Sequence, residues 1–403
     1  MTQTRNPVVI SGAGPTGLMS ALALATRGIP VIVCEAEPGL TIDQRAGSYH
    51  PPTLEMMAPF GVTERMHRTG LKVSQWQVRE RRGDLVAQFD LGLLSDITPY
   101  PYRLHLEQHR LTPILLDLVS GFSCAEVRFS SRVTGVEQDA DGARVTVETA
   151  AGSEQIAASW VIAADGGRST IRKQTGVEFE GFTWEEQYLV VSTPYDLAQH
   201  GFTLNAYVAD PDEWAAVFKM PDNGPPGLWR IAFPVPPEVD SATALAPENV
   251  ERRMQAFQPT GQAYEIAYKS TYKVHQRVAK EWRFGRVLLA GDAAHLNNPL
   301  GGFGLNSGIH DAINLTEKLG RVWHGEGTED LLDLYVRQRR AATIEQVQNM
   351  SIRNKRMLEE RDPDVQRANL IEMMAVAADP VRARAHLLNT TMILGLKRSL
   401  EVQ

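Results

Sequence analysis

Residues 7–35 read PVVISGAGPTGLMSALALATRGIPVIVCE, and this stretch decides the fold class. The β-branched run at residues 8–10 predicts a short strand, and the apolar residues after Gly17 recur with helical spacing until Gly28. A second strand is predicted at residues 31–33, with Glu35 at its carboxyl end. Strand, tight turn, helix and strand in this order form the first unit of a parallel α/β sheet.

The glycine spacing in this stretch indicates a nucleotide. Gly12, Gly14 and Gly17 follow the G-x-G-x-x-G pattern: the first permits a tight turn, the second lets backbone approach a pyrophosphate, and the third lets helix and strand pack closely. The free N–H groups at the start of the helix favour phosphate. Glu35 is placed to accept hydrogen bonds from a ribose, and Thr16 is also assigned to the cofactor. We therefore predict a dinucleotide site, the alternative being a purely structural turn.

The bulk composition is that of a globular protein. The chain has 403 residues, of which 43% are hydrophobic and 22% charged, and its formal net charge is -7. This length favours two domains or one large discontinuous domain. The negative charge argues against a general nucleic-acid binder, and the lack of a long apolar run predicts no membrane span. The two cysteines form no disulfide framework, which favours the reducing cytoplasm.

Some charged and polar features are interpreted as structural. Two basic clusters, RERR at residues 79–82 and RQRR at residues 337–340, are interpreted as solvated faces of a hairpin and a helix. Cys34 closes an apolar run and is predicted to be a buried thiol. No metal site is predicted.

Two further apolar runs each lead to an acid that has a glycine beside it. WVIAADGGRSTIRKQTG at residues 160–176 places Asp165 after one run, and GRVLLAGDAAHLNNPLGGFGLN at residues 285–306 places Asp292 after the other. The carboxyl ends of parallel strands meet at one edge of a sheet, where the ligands of such folds bind. Residues 299–308, here called the glycine loop, let backbone approach a flat ligand. Asp165 has an alternative role, in which it and Ser169 only cap the next helix.

These three motifs in this order resemble those of the single-component FAD-dependent aromatic hydroxylases of the p-hydroxybenzoate hydroxylase type. The resemblance implies an α/β fold with a Rossmann-like, GR2-type FAD-binding domain, an inserted antiparallel β-sheet substrate domain and C-terminal helices. The FAD-binding domain with its helices is expected at residues 1–70, 101–180 and 276–403, and the substrate domain at residues 71–100 and 181–275.

The resemblance also assigns residues to FAD. Asp292 would accept hydrogen bonds from the ribityl hydroxyls, and Asp165 would hold the ribityl-pyrophosphate region, which is also linked to NADPH. QRAGSYHPPTLEMM at residues 44–57 resembles the loop that brings Arg45 near the flavin. HLEQHRLTPILLDL at residues 105–118 resembles the helix start from which Gln108 reaches the ribityl chain.

The glycine loop is expected to face the isoalloxazine ring. The residues of this loop assigned to the cofactor are Gly302, Gly304, Leu305 and Asn306. A helix from about Asn306 onward would direct its N–H groups at the pyrimidine edge, which becomes anionic on reduction. The loop also contains Pro299, which resembles the residue whose carbonyl faces the substrate hydroxyl.

The implied reaction uses NAD(P)H and dioxygen. NAD(P)H reduces FAD, dioxygen adds to the reduced ring, and the flavin hydroperoxide hydroxylates an electron-rich aromatic substrate. Because no second dinucleotide fingerprint is present, NAD(P)H is expected to dock transiently, as in the family. A homodimer is one alternative for the oligomeric state, which the sequence leaves open together with the choice between NADH and NADPH.

The substrate region carries fewer signals. Tyr207 resembles the tyrosine that contacts the substrate hydroxyl, the alternative being an ordinary aromatic residue of a strand. The segment VFKM at residues 217–220 lacks the arginine that clamps the carboxylate in the benzoate enzyme, although Lys219 could supply a point charge. A neutral or bulkier phenolic or heteroaromatic substrate is therefore favoured. His295 is interpreted as a structural loop residue.

Other functions on the same fold remain alternatives. A halogenase, a reductase, or a Baeyer-Villiger-type or polycycle-modifying monooxygenase would share the FAD-binding motifs. The middle of the chain reads LWRIAFP and lacks the W-x-W-x-I-P segment of tryptophan-type halogenases. A non-catalytic FAD-binding module is the alternative from another class of protein.

Overall fold

The structure is a computed structural model that describes residues 5–42, 46–81, 84–139 and 142–403. Its strands are β1 (Val8–Ser11), β2 (Val31–Cys34), β3 (Ser48–Tyr49), β4 (Leu71–Val73), β5 (Gln75–Glu80), β6 (Leu85–Asp90), β7 (Arg103–His105), β8 (Ala125–Arg128), β9 (Arg132–Gln138), β10 (Ala143–Thr149), β11 (Gly152–Ala158), β12 (Trp160–Ala163), β13 (Phe179–Thr193), β14 (Asn205–Ala209), β15 (Ala215–Met220), β16 (Leu228–Val235), β17 (Tyr268–Ala279), β18 (Arg283–Phe284), β19 (Val287–Leu289) and β20 (His295–Leu296). Its α-helices are α1 (Pro15–Ala25), α2 (Pro51–Met57), α3 (Val62–His67), α4 (Gln108–Ser120), α5 (Thr170–Gln174), α6 (Ser241–Leu245), α7 (Pro247–Phe257), α8 (Phe303–His324), α9 (Asp330–Ala342), α10 (Asn349–Leu358), α11 (Pro363–Ala378), α12 (Pro380–Thr390) and α13 (Ile393–Glu401).

The N-terminal motif builds the centre of a six-stranded sheet. The strand order is β18-β19-β12-β1-β2-β8, and all neighbours are parallel except the edge pair β18 and β19. All four residues of β1 are buried, as expected for a central strand covered on both faces. The strands before the three sequence motifs, β1, β12 and β19, are direct neighbours, so the motifs emerge side by side at one edge. The predicted α/β class with a Rossmann-like parallel sheet is confirmed.

A second sheet is almost entirely antiparallel. Its eight strands follow the order β20-β17-β13-β16-β15-β14-β5-β6, and only β14 and β5 pair in parallel. The predicted antiparallel strands in the middle of the chain are therefore present. Helices α6 and α7 were not predicted there. The face of this sheet that carries Trp229 and Ile231 packs against Met254 of α7 and is here called the outer face.

The opposite face, here called the inner face, carries Tyr207 and packs against the C-terminal helices. Leu358 of α10, Leu370 of α11 and Leu387 of α12 belong to the same apolar cluster as Tyr207 and Trp76. The C-terminal helices that the resemblance implies are present as α8 to α13. None of the described helices combines the length and apolar composition needed to cross a membrane.

A buried carboxylate ties the third motif to two helices. Oδ2 of Asp311 in α8 accepts hydrogen bonds from the Gly291 N–H at 3.0 Å and from His295 Nε2 at 2.8 Å. Oδ1 accepts a hydrogen bond from Arg339 Nε of α9 at 2.7 Å. Burial opposes ionisation of Asp311, but the charge of Arg339 and the interaction with His295 outweigh it and lower the pKa from 3.8 to about 2. His295 therefore has a structural partner, in agreement with its interpretation.

The two basic clusters are not simply solvated. Arg339 is only 2% exposed because its guanidinium is bound to Asp311, and Arg79 is only 7% exposed. The prediction that these clusters form solvated faces is wrong for both residues. An arginine can lie inside a fold where carboxylates or carbonyls satisfy its N–H groups, which the local sequence does not reveal. Cys34 is buried as predicted, and burial raises the pKa of its thiol to about 11.

We expect Gly17→Ala to destabilise the protein. A Cβ at residue 17 would lie 1.9 Å from the carbonyl oxygen of Gly12, so α1 would have to move away from β1. The free energy of unfolding should fall by about 1–3 kcal/mol or more, which urea unfolding followed by circular dichroism would measure. Gly14→Ala is the matched control, because a Cβ there meets no atom within 4 Å. Equal stability of the two variants would contradict the packing role of Gly17.

We expect Asp311→Asn to cost about 3–5 kcal/mol, because it leaves the buried Arg339 charge without its counter-charge. The folded-state pKa of Asp311 lies below the unfolded-state value, so its contribution is fully present above the unfolded-state pKa of about 4 and is lost as the pH falls towards about 2. The stability gap between wild type and variant should therefore narrow on acidification. Asp117→Asn, in an exposed pair with Arg65, should change stability by less than about 1 kcal/mol. A gap that does not change with pH would refute the lowered pKa.

Candidate active site

The turn after β1 is shaped by backbone contacts. Gly12 has a φ of +101°, and a Cβ there would lie 2.5 Å from the carbonyl oxygen of Ala164. The turn is therefore packed against the strand end that leads to the second motif. Gly14, the N-cap of α1, has open space where a Cβ would project. The turn thus has open space at Gly14, beside the start of a helix, which suits a phosphate.

Glu35 stands beside this turn. Its Oε2 accepts a hydrogen bond from the Ala13 N–H at 2.7 Å, and its Oε1 accepts one from the Glu37 N–H at 3.0 Å. The carboxylate therefore fixes the turn between β1 and α1. Each carboxylate oxygen has a further lone pair. Its contact with a ribose stays a prediction.

Asp165 has one oxygen engaged and one without a partner. Its Oδ2 accepts a hydrogen bond from the Thr170 N–H at 2.8 Å, and Ser169 Oγ accepts one from the Arg172 N–H at 3.0 Å. The capping role that was weighed as an alternative is therefore present. Oδ1 of Asp165 is buried and has no hydrogen-bond partner among the described residues. Such an acceptor is costly, so it fits a hydroxyl donor of a bound ligand.

The third motif packs directly on the first. The Thr16 hydroxyl oxygen lies 2.6 Å from the position that a Cβ would take at Gly291 and 2.5 Å from that at Gly308. The side chain of Thr16 is thus enclosed between the third motif and α8. Asp292 is exposed in a short turn after β19, at the same edge as Asp165. The structure therefore brings the three motifs together.

Of Gln108 and Arg45, which the resemblance also assigns to FAD, only Gln108 lies in the described part of the chain. Gln108 is the first residue of α4, and its N–H donates to the Ala46 carbonyl at 3.0 Å. It therefore stands at a helix start, as the resemblance implies. Arg45 lies outside the described residues, so its proximity to a flavin stays a prediction.

The helix after the glycine loop starts earlier than predicted. It begins at Phe303, because Gly302 adopts a φ of +72° and serves as its N-cap. The expectation of a start near Asn306 is wrong. Asn306 lies in the helix, where its Nδ2 donates to the Ser48 carbonyl at 2.8 Å and its Oδ1 accepts from the His50 N–H at 2.9 Å. Gly304 and Leu305 lie in the first turn.

Both backbone groups of Gly301 have a side-chain partner. Its N–H donates to the Tyr207 hydroxyl oxygen at 3.2 Å, and its carbonyl lies 2.8 Å from His50 Nε2. Burial, followed by the charge of Arg103, lowers the pKa of His50 well below its ordinary value. His50 is therefore neutral, with its proton on Nε2, because a carbonyl can only accept.

The two residues predicted to meet the substrate lie at this same loop. The Pro299 carbonyl accepts a hydrogen bond from the Gly302 N–H at 2.9 Å, and Tyr207 contacts Gly301. On the inner face, the pairing register aligns Tyr207 with Ala216, and Ala216 with Ala232. Both alanines are buried, and their small side chains belong to the same apolar cluster as the tyrosine ring.

Lys219 does not belong to this surface. Side chains alternate between the faces of a strand, and Lys219 is on the outer face, 5.1 Å from the Trp229 ring centre. The suggestion that Lys219 supplies a charge to the substrate is therefore wrong.

Two buried arginines were missed by sequence reasoning. Arg103 of β7 is 3% exposed, and its Nη1 donates to Asn205 Oδ1 at 3.0 Å. Arg230 of β16 is 7% exposed and lies on the inner face, because it aligns with Phe218, which in turn aligns with Asn205. A signal was present, since each arginine interrupts a run of strand-forming residues, YRLH and LWRIAF.

Comparison with known proteins gives a consistent family. The model of the "FAD binding domain" family matches residues 5–350. The para-nitrophenol 4-monooxygenase of Pseudomonas sp. (strain WBC-3) is 36% identical over 365 residues, which are 90% of this chain and 89% of the relative. The 6-hydroxy-3-succinoylpyridine 3-monooxygenase of Pseudomonas putida (strain DSM 28022 / S16) is 35% identical over 361 residues, covering 88% and 90%.

A solved structure shares the whole architecture. The crystal structure of p-nitrophenol 4-monooxygenase PnpA from Pseudomonas putida DLL-E4 superimposes with a TM-score of 0.92 at 32% identity, covering 97% of this chain and 98% of that one. The predicted resemblance is thereby confirmed over the whole fold. The chain belongs to the FAD binding domain family, and it is an FAD-dependent aromatic monooxygenase that uses NAD(P)H.

Proposed function

We propose that this enzyme hydroxylates a small phenol that binds between the glycine loop and the inner face of the eight-stranded sheet. The contact between Tyr207 and Gly301 carries the proposal. The Tyr207 hydroxyl accepts the Gly301 N–H, so its own proton is available for a substrate oxygen. Relatives whose names specify para-nitrophenol and pentachlorophenol support a phenol as substrate.

The cofactor is proposed to lie at the edge where the three motifs meet. When bound, FAD supplies the redox chemistry that takes electrons from NAD(P)H and passes one atom of dioxygen to the substrate. Asp165 Oδ1, which is buried and has no hydrogen-bond partner in the described part of the chain, is the acceptor that best fits a cofactor hydroxyl. The residues proposed to hold FAD are Gly12, Gly14, Thr16, Gly17, Glu35, Arg45, Gln108, Asp165, Asp292, Gly302, Gly304, Leu305 and Asn306.

The chain itself would bind, orient and desolvate the substrate. Tyr207 would donate to the phenol oxygen, and the Pro299 carbonyl, which accepts the Gly302 N–H, has a second lone pair that could accept from the same hydroxyl. Ala216 and Ala232 make room for a flat ring, and Trp76, stacked on Phe89 at 4.6 Å between ring centres, closes one side with apolar surface. An apolar enclosure excludes water from the reacting centre.

The remaining sequence-based expectations extend this proposal. Residues 71–100 and 181–275 are proposed as the substrate domain, because they supply most of the eight-stranded sheet. Dioxygen is the proposed co-substrate, and the cytoplasm is the proposed location because NAD(P)H is available there. A homodimer stays a prediction for the oligomeric state.

The proposed function is tested by NAD(P)H oxidation across a panel of substituted phenols, with hydrogen peroxide and hydroxylated product quantified together. We expect phenol-dependent oxidation coupled to product. Tyr207→Phe should lower kcat/KM by about 10²-fold or more, because it removes the hydrogen bond to the phenol oxygen.

Tyr264→Phe is the matched control, since this buried tyrosine donates to the Gln258 carbonyl near the outer face. It should leave the phenol-dependent rate unchanged. An enzyme that binds FAD and yet oxidises NAD(P)H with none of the phenols would overturn the proposed function.

We expect Asp165→Asn to weaken FAD binding by about tenfold or more. The amide keeps an oxygen to cap α5, but it replaces the unpartnered acceptor with a donor, which a ligand hydroxyl tolerates less well. Fluorescence titration of the FAD-free protein would measure the change. Ser169→Ala is the control, because it should cost about 0.5–2 kcal/mol of stability without a specific loss of FAD affinity. FAD affinity equal to wild type in Asp165→Asn would exclude Oδ1 as a ligand.

A further inference from the structure

The backbone around Pro299 is held by side chains. Residues 297–302 belong to no strand or helix, so no ladder of backbone hydrogen bonds fixes their peptide planes. Asn298 Oδ1 accepts a hydrogen bond from the Leu300 N–H at 3.1 Å, and Asn354 Nδ2 of α10 donates to the Leu300 carbonyl at 3.2 Å. Both backbone groups of the residue after Pro299 are therefore bound by side-chain amides.

The residue before Pro299 is held by Gln276 of β17. Gln276 Oε1 accepts hydrogen bonds from the Asn298 N–H at 3.1 Å and from Asn298 Nδ2 at 3.2 Å. Gln276 Nε2 donates to Gln348 Oε1 and, at 3.0 Å, to Ser351 Oγ. Gln276 is 2% exposed and Asn298 is fully buried. Because the oxygen and the nitrogen of both amides are hydrogen-bonded inside the protein, their orientation is fixed.

Gln348 reaches this network from a π-helix, Thr343–Gln348, which connects α9 to α10. Its Oε1 accepts from Gln276, and its Nε2 donates to the Leu296 carbonyl at 2.9 Å. A π-helical turn within a longer helix is rare and is found frequently at functional sites. Here the turn contacts, through Gln348, the chain that leads to Pro299.

Gln346 belongs to the same π-helix but packs against other neighbours. It is 7% exposed, and its Nε2 donates to the Asn389 carbonyl of α12 at 3.3 Å. A Cβ at Gly395 of α13 would lie 1.4 Å from Gln346 Oε1, so this amide is enclosed by the C-terminal helices. The π-helix thus carries two buried glutamines, of which Gln348 holds the chain before Pro299 and Gln346 holds the C-terminal helices.

We propose that Gln276 and Gln348 are positioning residues that orient the Pro299 carbonyl towards the substrate oxygen. This inference rests on the proposed function, because it concerns the hydroxyl that the Pro299 carbonyl would meet. The amide network binds the backbone on both sides of Pro299, so it restricts rotation of the peptide that carries this carbonyl. A carbonyl held in one orientation holds the substrate ring in one orientation, and small displacements of a reacting carbon lower the rate of transfer to it strongly.

The orientation of the ring decides how dioxygen is divided between two products. In each turnover NAD(P)H and a proton supply two electrons and two hydrogens. When the ring is in place, one oxygen atom is inserted into a ring C–H bond and the other leaves as water with these hydrogens. When the ring is displaced, both oxygen atoms leave as hydrogen peroxide. The fraction of oxidised NAD(P)H that appears as hydroxylated product, here called the coupling ratio, therefore reports the position of the substrate.

Gln276→Met and Gln348→Met test the proposal, because each removes the amide hydrogen bonds and keeps a long unbranched side chain. We expect each to lower the coupling ratio by about twofold or more, with a matching rise in hydrogen peroxide. KM for NAD(P)H should stay within about twofold of wild type, because the substrate and not the reductant is displaced. The coupling ratio does not depend on the amount of folded enzyme, since unfolded enzyme oxidises no NAD(P)H.

Hydrogen–deuterium exchange of the FAD-loaded protein gives a readout that does not require activity. The Asn298 N–H is bound to Gln276, and the Leu300 N–H is bound to Asn298. In Gln276→Met, both should exchange about fivefold faster or more than in wild type. Mass spectrometry of a peptide that spans residues 296–302 would measure the change.

Two further variants separate positioning from general loss of structure. Gln346→Met is the matched control, because it removes a buried glutamine from the same π-helix without touching the chain before Pro299. It should keep the wild-type coupling ratio and the wild-type exchange. Gln276→Glu is the conservative variant: a protonated carboxyl can still accept from Asn298 and donate to Gln348, so it should retain more of the coupling ratio than Gln276→Met.

The outcomes distinguish this inference from the proposed function. If both Gln276→Met and Gln348→Met keep the wild-type coupling ratio, or if Gln346→Met lowers it as much as Gln348→Met does, the positioning role is overturned while the phenol hydroxylase proposal stands. If Gln276→Met does not fold, the comparison of Gln348→Met with Gln346→Met decides the question. If wild type oxidises NAD(P)H with none of the phenols, the proposed function fails and this inference fails with it.

Discussion

Close backbone packing at the carboxyl edge of the parallel sheet is the constraint on which the rest of the structure depends. The position of Gly17 lets α1 lie against the Gly12 carbonyl, and Thr16 fills the space that Gly291 and Gly308 leave open. These contacts join the N-terminal turn, the third motif and α8 into one body. Side chains larger than hydrogen at these glycines would separate the strand ends, and the acids at those ends would no longer lie side by side at one edge of the sheet.

Two buried charges, those of Asp311 and Arg103, differ in whether an opposite charge lies beside them. Asp311 is surrounded by Arg339, His295 and the Gly291 N–H, so its charge is compensated within the fold and serves to hold the third motif on α8 and α9. Arg103 has only neutral partners among the described residues. The paired charge of Asp311 stabilises the fold, whereas burial of the Arg103 charge among neutral partners costs stability.

Local patterns in the sequence were sufficient for the parallel sheet, because each motif combines an apolar strand with the glycines that must follow it. They were not sufficient for contacts between distant segments. The start of α8 depends on the left-handed conformation of Gly302, and the burial of Arg339 depends on Asp311 from another helix. Whether Lys219 lies on the inner or the outer face depends on the register in which β15 pairs with β14. The burial of Arg103 likewise depends on Asn205, which follows it by about a hundred residues in the chain.

The backbone of Gly301 connects the eight-stranded sheet to His50. Its N–H is bound to Tyr207 of the eight-stranded sheet, and its carbonyl is bound to His50, beside the short strand β3. Asn306 then links the His50 backbone to the first turn of α8. Because both backbone groups of Gly301 are hydrogen-bonded, this residue links the Tyr207 hydroxyl to the turn before α2. In the proposed site, the loop backbone therefore connects the hydroxyl that would bind the substrate oxygen to the residues that would face the cofactor.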